Sequence, residues 1–408
     1  MGVDPEPHVN GLGSTTMANG RFRLAFLTVA AVLVLVPTIA SFSGATVPFR
    51  NDFAAYWPVA NLLLDGQNPY DAVAIEGLQR SVGDELGGDS VVRYPPWSLP
   101  LILPLAFMPY APGWYFWIVL QVILVAVSSL WAWRLLGGQE RSIYPLTIAF
   151  LFPPSLFVAL GGQIDGVLLF GATVLLWAML HERAWIAGAS LGLLTMKPHL
   201  SLALGLAVLF WSVRRKDSRL LSALGFFIVI GSVIAFLCRP QIFADYMAFV
   251  RSPSTDWTRA VALGSGVSVA LGGHLTWLKW VPALIVTAIM VALGIWRRAD
   301  LEVDWQREFP TLLVLGLFAA PYLLVHDLVL LLPALLSCWL CARGTVLPAA
   351  RLGGLILFLL FCSLIWYGQL QEAYMQLHVM IVPLMLIPSL AARRCIGDEA
   401  LHPDVSSD

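Results

Sequence analysis

Along this chain the charged positions crowd into a few short stretches, and long apolar runs lie between them. Such runs occupy roughly 24–44, 113–136, 143–160, 166–181, 184–197, 198–213, 219–237, 279–297, 308–324, 327–342, 352–369 and 373–391. Crossing a bilayer takes ~20 apolar residues, fewer where a helix is packed inside a bundle. The pattern therefore predicts an all-α polytopic membrane protein with about twelve transmembrane helices. The runs at 184–197 and 198–213 are short enough to be re-entrant instead. The stretch 96–110 is short and broken by proline, and it reads as half-inserted or interfacial. Between the first run and 96, Phe53 to Leu64 forms a short amphipathic, aromatic-rich helix, predicted to lie in the interface plane. It ends at Asp65-Gly66-Gln67-Asn68-Pro69, a strong turn signal.

Orientation follows from the basic residues. Arg21 and Arg23, Arg134 and Arg141, Arg214-Arg215-Lys216 with Arg219, Arg297-Arg298, Arg343 and Arg351, and Arg393-Arg394 fall at alternate junctions. Placing them in the cytoplasm gives a consistent topology with both termini inside. Residues 1–20 then form a disordered cytoplasmic tail, 21–395 a single membrane domain, and 396–408 a second cytoplasmic tail. The loops 45–112 and 238–278, and the turns at 161–165, near 197, at 321–327 and at 369–372, face outward. The predicted location is the plasma (inner) membrane, with the active face extracytoplasmic.

Composition sharpens this picture. Hydrophobic residues make up 59% of the 408 and charged residues 12%, about half the charge of a soluble domain. No soluble fold hides that much apolar surface. A net charge of −1 leaves no footprint for nucleic acid. Cys338 and Cys341 form a CxxC inside an apolar stretch, with no partner pair and no nearby histidine. They read as small apolar side chains, and no disulfide framework or metal site is implied.

Ionisable groups in or beside apolar runs need a partner or a purpose. By the topology above, the notable ones share one level, the outer helix ends: Asp52, Gln163, Asp165, Lys197, His199, His326 and Asp327, with Glu372 and His378 on the last hairpin. A carboxylate such as Asp52 at a cavity mouth can act as general base on an alcohol. A lysine beside the helix-breaking Pro198 can hold a phosphate. Base, phosphate clamp and lipid-facing groove together fit displacement of a polyprenyl phosphate by a hydroxyl. Tyr56, Trp57, Tyr94 and Trp97 could stack on sugar faces or line the groove, and Arg93 and Tyr94 could touch the donor. Each residue also has a plain structural reading. Asp52 could cap the helix that follows it, Lys197 could snorkel to the headgroups, and His326 and Asp327 could pair with each other. Gln163 and Asp165 could be structural or contact the acceptor.

Several strings resemble glycosyltransferase family 87, which includes polyprenyl-phosphomannose-dependent α-mannosyltransferases. Asn51-Asp52-Phe53-Ala54-Ala55-Tyr56-Trp57, Leu64-Asp65-Gly66-Gln67-Asn68-Pro69-Tyr70-Asp71 and Arg93-Tyr94-Pro95-Pro96 look like its first outer loop. Gly162-Gln163-Ile164-Asp165-Gly166, Gly192-Leu193-Leu194-Thr195-Met196-Lys197-Pro198-His199 and Ala320-Pro321-Tyr322-Leu323-Leu324-Val325-His326-Asp327 follow in order, so that the resemblance runs from about 50 to 390. It implies a GT-C glycosyltransferase fold, an inverting transfer and a catalytic aspartate that falls on Asp52. It further implies a histidine near that aspartate, falling on His326, and places Lys197 by the donor phosphate. At Asp165 the family often has asparagine or another polar residue.

No Asp-x-Asp pair surrounds Asp52, so no obligatory metal or other cofactor is expected. The expected partners are membrane lipids, a polyprenyl-phosphate sugar as donor, and a glycolipid or glycan acceptor. Two rivals remain open from the residues themselves. A transporter or flippase would need midplane sites and often inverted repeats, and no convincing repeat is visible. A ligase or polymerase acting on lipid-diphosphate oligosaccharides would use arginines in a late outer loop, where Arg239, Arg251 and Arg259 stand.

Overall fold

The computed structural model describes residues 52–83, 92–252, 262–271, 275–296, 302–344 and 381–399. The apolar runs at 24–44 and 352–369, with Glu372 and His378, lie outside the described residues, as do 1–20 and 400–408. Every regular element among the described residues is helical, as the apolar pattern requires of chain in lipid, where backbone groups must be satisfied internally.

Four described helices are long and apolar enough to cross a bilayer: Tyr110–Leu135, Ser218–Cys238, Thr276–Ile295 and Val325–Ala342. About twelve full spans are not confirmed, since two of the predicted runs lie outside the described residues and helix breaking shortens others. The run 143–160 is interrupted at Phe152-Pro153-Pro154, giving helices Tyr144–Leu151 and Pro153–Leu160 of 8 residues each, because proline removes a backbone donor and starts a new first turn. The run 184–213 divides into Ala184–Leu194 and Leu202–Arg215, of 11 and 14 residues. At 1.5 Å per residue these reach roughly 16 and 21 Å, short of the ~30 Å hydrocarbon core. The proline-broken stretch forms two short 3-10 helices, Pro96–Leu101 and Leu103–Phe107. The helix Ile381–Glu399 continues past Cys395, into the stretch read as a tail.

In chain order, α1 is Phe53–Leu64, α2 Ala72–Ser81, α3 Tyr110–Leu135, α4 Tyr144–Leu151, α5 Pro153–Leu160, α6 Asp165–Leu180, α7 Ala184–Leu194, α8 Leu202–Arg215, α9 Ser218–Cys238 and α10 Ile242–Arg251. The span Val325–Ala342 is 67% buried, against 22% for Ser218–Cys238 and 17% for Thr276–Ile295. The first therefore lies inside the bundle and the other two at its margin. On α9, Phe226, Val229, Ile230, Val233 and Leu237 are exposed, a face suited to lipid tails.

Small residues let the shorter helices pack closely. Gly188 and Gly192 lie one turn apart on α7, and a Cβ added at them would come within 2.2 Å of the Leu220 carbonyl oxygen and 2.5 Å of the Phe227 ring on α9. Such small-xxx-small spacing brings helix backbones together where no hydrophobic drive operates in lipid. Of the CxxC, Cys338 is a free thiol, whereas Cys341 is disulfide-bonded. This corrects the reading of both as unpaired: a cysteine's partner is a neighbour in space, which an isolated CxxC spacing does not reveal.

The two predicted outer loops meet. Arg239 pairs with Asp245 at the start of α10 and also donates to the Gly66 carbonyl (2.9 Å) in the turn after α1. Tyr70 stacks on Phe249 of α10, with ring centroids 5.5 Å apart. At the opposite ends of α6 and α8, Glu182 pairs with Arg215 (2.8 Å). The turns 161–165 and 195–201 and the segment 320–327 converge on the loop side.

Candidate active site

The site begins at the entry to α1. Asp52 occupies the N-cap position of that helix, yet its side chain makes no capping hydrogen bond. Its carboxylate instead accepts from the side-chain amide of Gln163, and its backbone N–H donates to the Gly161 carbonyl (2.9 Å). The plain reading of Asp52 as a helix cap is thereby set aside. Gly162 makes this approach possible, with a φ of +62° that a side chain would rarely adopt. Its carbonyl accepts from the Trp117 indole at 2.7 Å, which ties the Gly161–Gln163 turn to α3.

Behind Asp52 lie two phenols. The hydroxyls of Tyr56 and Tyr94 are hydrogen-bonded at 3.0 Å, and Tyr56 also donates to Gln163 Oε1 at 3.4 Å. Tyr70 donates to the Tyr94 carbonyl at 2.8 Å, fixing the strand of chain before the 3-10 helices. Burial, followed by the neighbouring phenol or carboxylate, pushes both Tyr56 and Tyr94 well above the ordinary phenol range. Both stay protonated and able to donate. Trp57 points elsewhere: its indole donates to the Met108 carbonyl at 2.9 Å and its ring packs edge-on to Tyr110. It braces α1 against the proline-broken segment.

Beside this group is a buried ionic cluster. Lys197, in the turn between α7 and α8, donates to both oxygens of Asp165 (2.8 and 3.0 Å) and to Asp327 (2.7 Å). Asp165 is the first residue of α6, where the helix N-terminus favours a carboxylate. Asp327 sits in the 3-10 helix Val325–Leu331 and also accepts the backbone N–H of Leu324. An ammonium has three N–H donors, and here carboxylates take all three. His326 Nε2 stands 3.7 Å from Asp165 and 3.9 Å from Asp327, beyond hydrogen-bond distance, and within Coulombic reach of Asp52.

The ligand atoms of Asp165, His326 and Asp327 lie within 4.8 Å of one another, close enough to hold a metal ion. The Lys197 ammonium already bridges the two carboxylates, so a divalent ion would have to displace it or share the charge. Arg93 is exposed and makes no salt bridge among the described residues. It lies within Coulombic reach of the Tyr322 phenol.

The sequence-predicted residues Asp52, Tyr56, Tyr94, Gln163, Asp165, Lys197, His326 and Asp327 thus come together, with Arg93 at the edge and Trp57 turned away. Sequence reasoning read Trp97 as a groove-lining aromatic and missed two further supporting residues, Trp117 and Gln121. The Trp97 indole donates to Thr195 Oγ1 (2.9 Å), holding the turn that carries Lys197. Trp117 anchors the Gly162 turn. Gln121, fully buried on α3, packs against Gly166, where an added Cβ would meet its Oε1 at 2.4 Å. A lone glutamine inside an apolar run was the signal available for that one.

With the geometry in view, the family model of glycosyltransferase family 87 matches residues 93–326, more than half of the chain. The chain belongs to glycosyltransferase family 87. No curated protein and no solved structure matches it. Membership in family 87 makes this a membrane glycosyltransferase, in keeping with its apolar helices and in place of the transporter reading. The match covers Arg93, Tyr94, Gln163, Asp165, Lys197 and His326. It begins after Asp52, Tyr56 and Trp57, so the matched part of family 87 is narrower than the resemblance from about 50 to 390, and those three rest on geometry.

Proposed function

We propose that this family 87 enzyme transfers a sugar, mannose in the first instance, from a polyprenyl-phosphate donor to a hydroxyl of a glycolipid or glycan acceptor, with Asp52 as general base. The observation that carries this reading is the orientation of Asp52, whose carboxylate is aimed by Gln163 instead of capping α1. A base held by a side-chain amide keeps a fixed direction and retains a free oxygen lone pair for an incoming hydroxyl.

In the step, the acceptor oxygen bonds to the anomeric carbon as its proton passes to Asp52. The bond from that carbon to the phosphate oxygen breaks, and the electron pair leaves with the polyprenyl phosphate. Attack opposite the leaving group inverts the anomeric centre. Arg93 and Tyr94 line the donor side, and His326, near Asp52, helps to position the base or the hydroxyl it deprotonates. Lys197 bridges Asp165 and Asp327 and so holds the α6, α7–α8 and 325–331 segments in register. With its donors taken, it is a counter-ion before it is a phosphate ligand. Placing the basic junctions in the cytoplasm puts this face on the extracytoplasmic side of the plasma membrane.

The test is transfer by purified protein in lipid, using a short-chain polyprenyl-phosphate mannose and a panel of glycolipid acceptors, wild type against Asp52→Asn. Release of polyprenyl phosphate with a new glycosylated product, lost in Asp52→Asn at unchanged thermal stability, is expected. Folded wild-type protein that stays silent with mannosyl, glucosyl and galactosyl donors would overturn the donor class. Full activity in Asp52→Asn would overturn the role of Asp52.

A further inference from the structure

The donor phosphate needs a partner that Lys197, fully engaged by two carboxylates, does not supply. Two polar side chains near that cluster, Gln121 against Gly166 and His199, have buried atoms without a hydrogen-bond partner. His199 lies two residues beyond Lys197 in the same turn, and its Nε2 is buried with no hydrogen bond. Asp52, Gln163, Asp165, Lys197 and Asp327 are all bonded. Leaving a buried polar atom unpaired is costly, so such an atom usually marks a bound water or ligand group.

The position of His199 is not adaptable. Leu200 N–H closes the turn onto the Lys197 carbonyl at 3.0 Å. The Leu200 carbonyl lies against Gly316, where an added Cβ would come within 2.3 Å. The imidazole packs on the Tyr322 ring, with centroids 4.1 Å apart. Arg93, exposed, acts on the same Tyr322 through its charge. Tyr322 thus carries the His199 ring against it and lies within electrostatic range of the exposed Arg93 guanidinium. Burial lowers the His199 pKa to about 4, so the ring is neutral at ordinary pH, with one N–H to give.

We propose that His199 Nε2 and Arg93 form the phosphate subsite for the lipid-phosphate donor. The inference rests on the donor class proposed above and names the residues that read it. The charges match: a sugar–phosphate–lipid diester carries a single negative charge, which one guanidinium balances, and a neutral imidazole N–H adds direction without a second charge. As the sugar departs, negative charge grows on the phosphate, and a donor already in place stabilises it without reorganisation.

The test measures binding of a short-chain polyprenyl phosphate to the full chain in lipid nanodiscs, with the uncharged polyprenol as control. His199→Phe keeps the ring against Tyr322 and removes the nitrogen. It is expected to weaken polyprenyl phosphate roughly tenfold or more, the value of a hydrogen bond to a charged group, and to leave polyprenol binding unchanged. His199→Gln, whose amide reaches the Nε2 position, should restore binding, whereas His199→Asn, which stops at the Nδ1 position, should not. If His199→Phe fails to fold, the glutamine and asparagine variants decide alone. Equal phosphate binding in wild type and His199→Phe, equal binding by glutamine and asparagine variants, or a parallel loss of polyprenol would each overturn the subsite. Wild type that binds no polyprenyl phosphate would overturn the donor class, and the subsite with it.

Discussion

Gln163 reaches across 111 residues of sequence to hold the carboxylate of Asp52 with its side-chain amide, while its carbonyl accepts from Tyr56. One side chain thereby connects the entry of α1 to the turn before α6. It gives a carboxylate that might have capped a helix a fixed direction. Gln163→Ala should lower kcat roughly ten- to hundredfold, the value of a hydrogen bond to a charged group, with donor KM little changed. Steady-state kinetics checks this, and a rise in KM at constant kcat would mean that Gln163 binds substrate instead of aiming the base.

Lys197 is the shared counter-ion of Asp165 and Asp327. Lys197→Met leaves two buried acidic side chains without their ammonium, so it should destabilise the protein by about 3–5 kcal/mol. Adding Asp165→Asn should recover part of that loss. Thermal unfolding in detergent reads both, and Lys197→Met at wild-type stability would show that the cluster is solvated.

Close packing also carries a prediction. Gly231 on α9 faces the Trp97 backbone, where an added Cβ would stand 2.1 Å from the carbonyl oxygen. Because backbone cannot yield as a side-chain tip can, Gly231→Ala should be destabilising by about 1–3 kcal/mol and should shift the Trp97–Thr195 brace, lowering activity as well. Gly225 on the same helix has nothing within 4 Å of an added Cβ. Gly225→Ala should therefore be neutral or slightly stabilising. Parallel thermal-shift measurements compare the two.

Tyr56 and Tyr94 are held protonated mainly by burial. In the unfolded chain a phenol ionises at about pH 10. With the folded pKa raised, the stability these phenols contribute is intact below that pH. It is lost progressively as pH rises above it, because only the unfolded state then releases the protons. A Tyr56→Phe/Tyr94→Phe variant should lose stability less steeply above about pH 10 than wild type. Equal slopes in chemical unfolding would indicate that the two hydroxyls reach water.

Much of this was legible before any coordinates. Long apolar runs with charges confined to their junctions fixed an all-helical membrane class, because lipid leaves backbone polar groups no partner outside the helix. Ionisable residues at helix ends pointed to the site for the same reason: there they need a partner or a use. The number of full spans was not legible, because hydropathy does not say where prolines such as Pro153 and Pro154 break a run into short helices.

What each polar residue does was decided by the fold. From sequence, Asp52 could cap a helix or act as a base, and Lys197 could bind phosphate or snorkel to the headgroups. The choice depends on which group stands within 3 Å, and those neighbours come from more than a hundred residues away: Gln163 for Asp52, and Asp327 for Lys197. The unpaired His199 nitrogen became visible in the same way. Sequence determined which residues could not rest in lipid without a partner. Tertiary packing determined which found one within the protein and which did not.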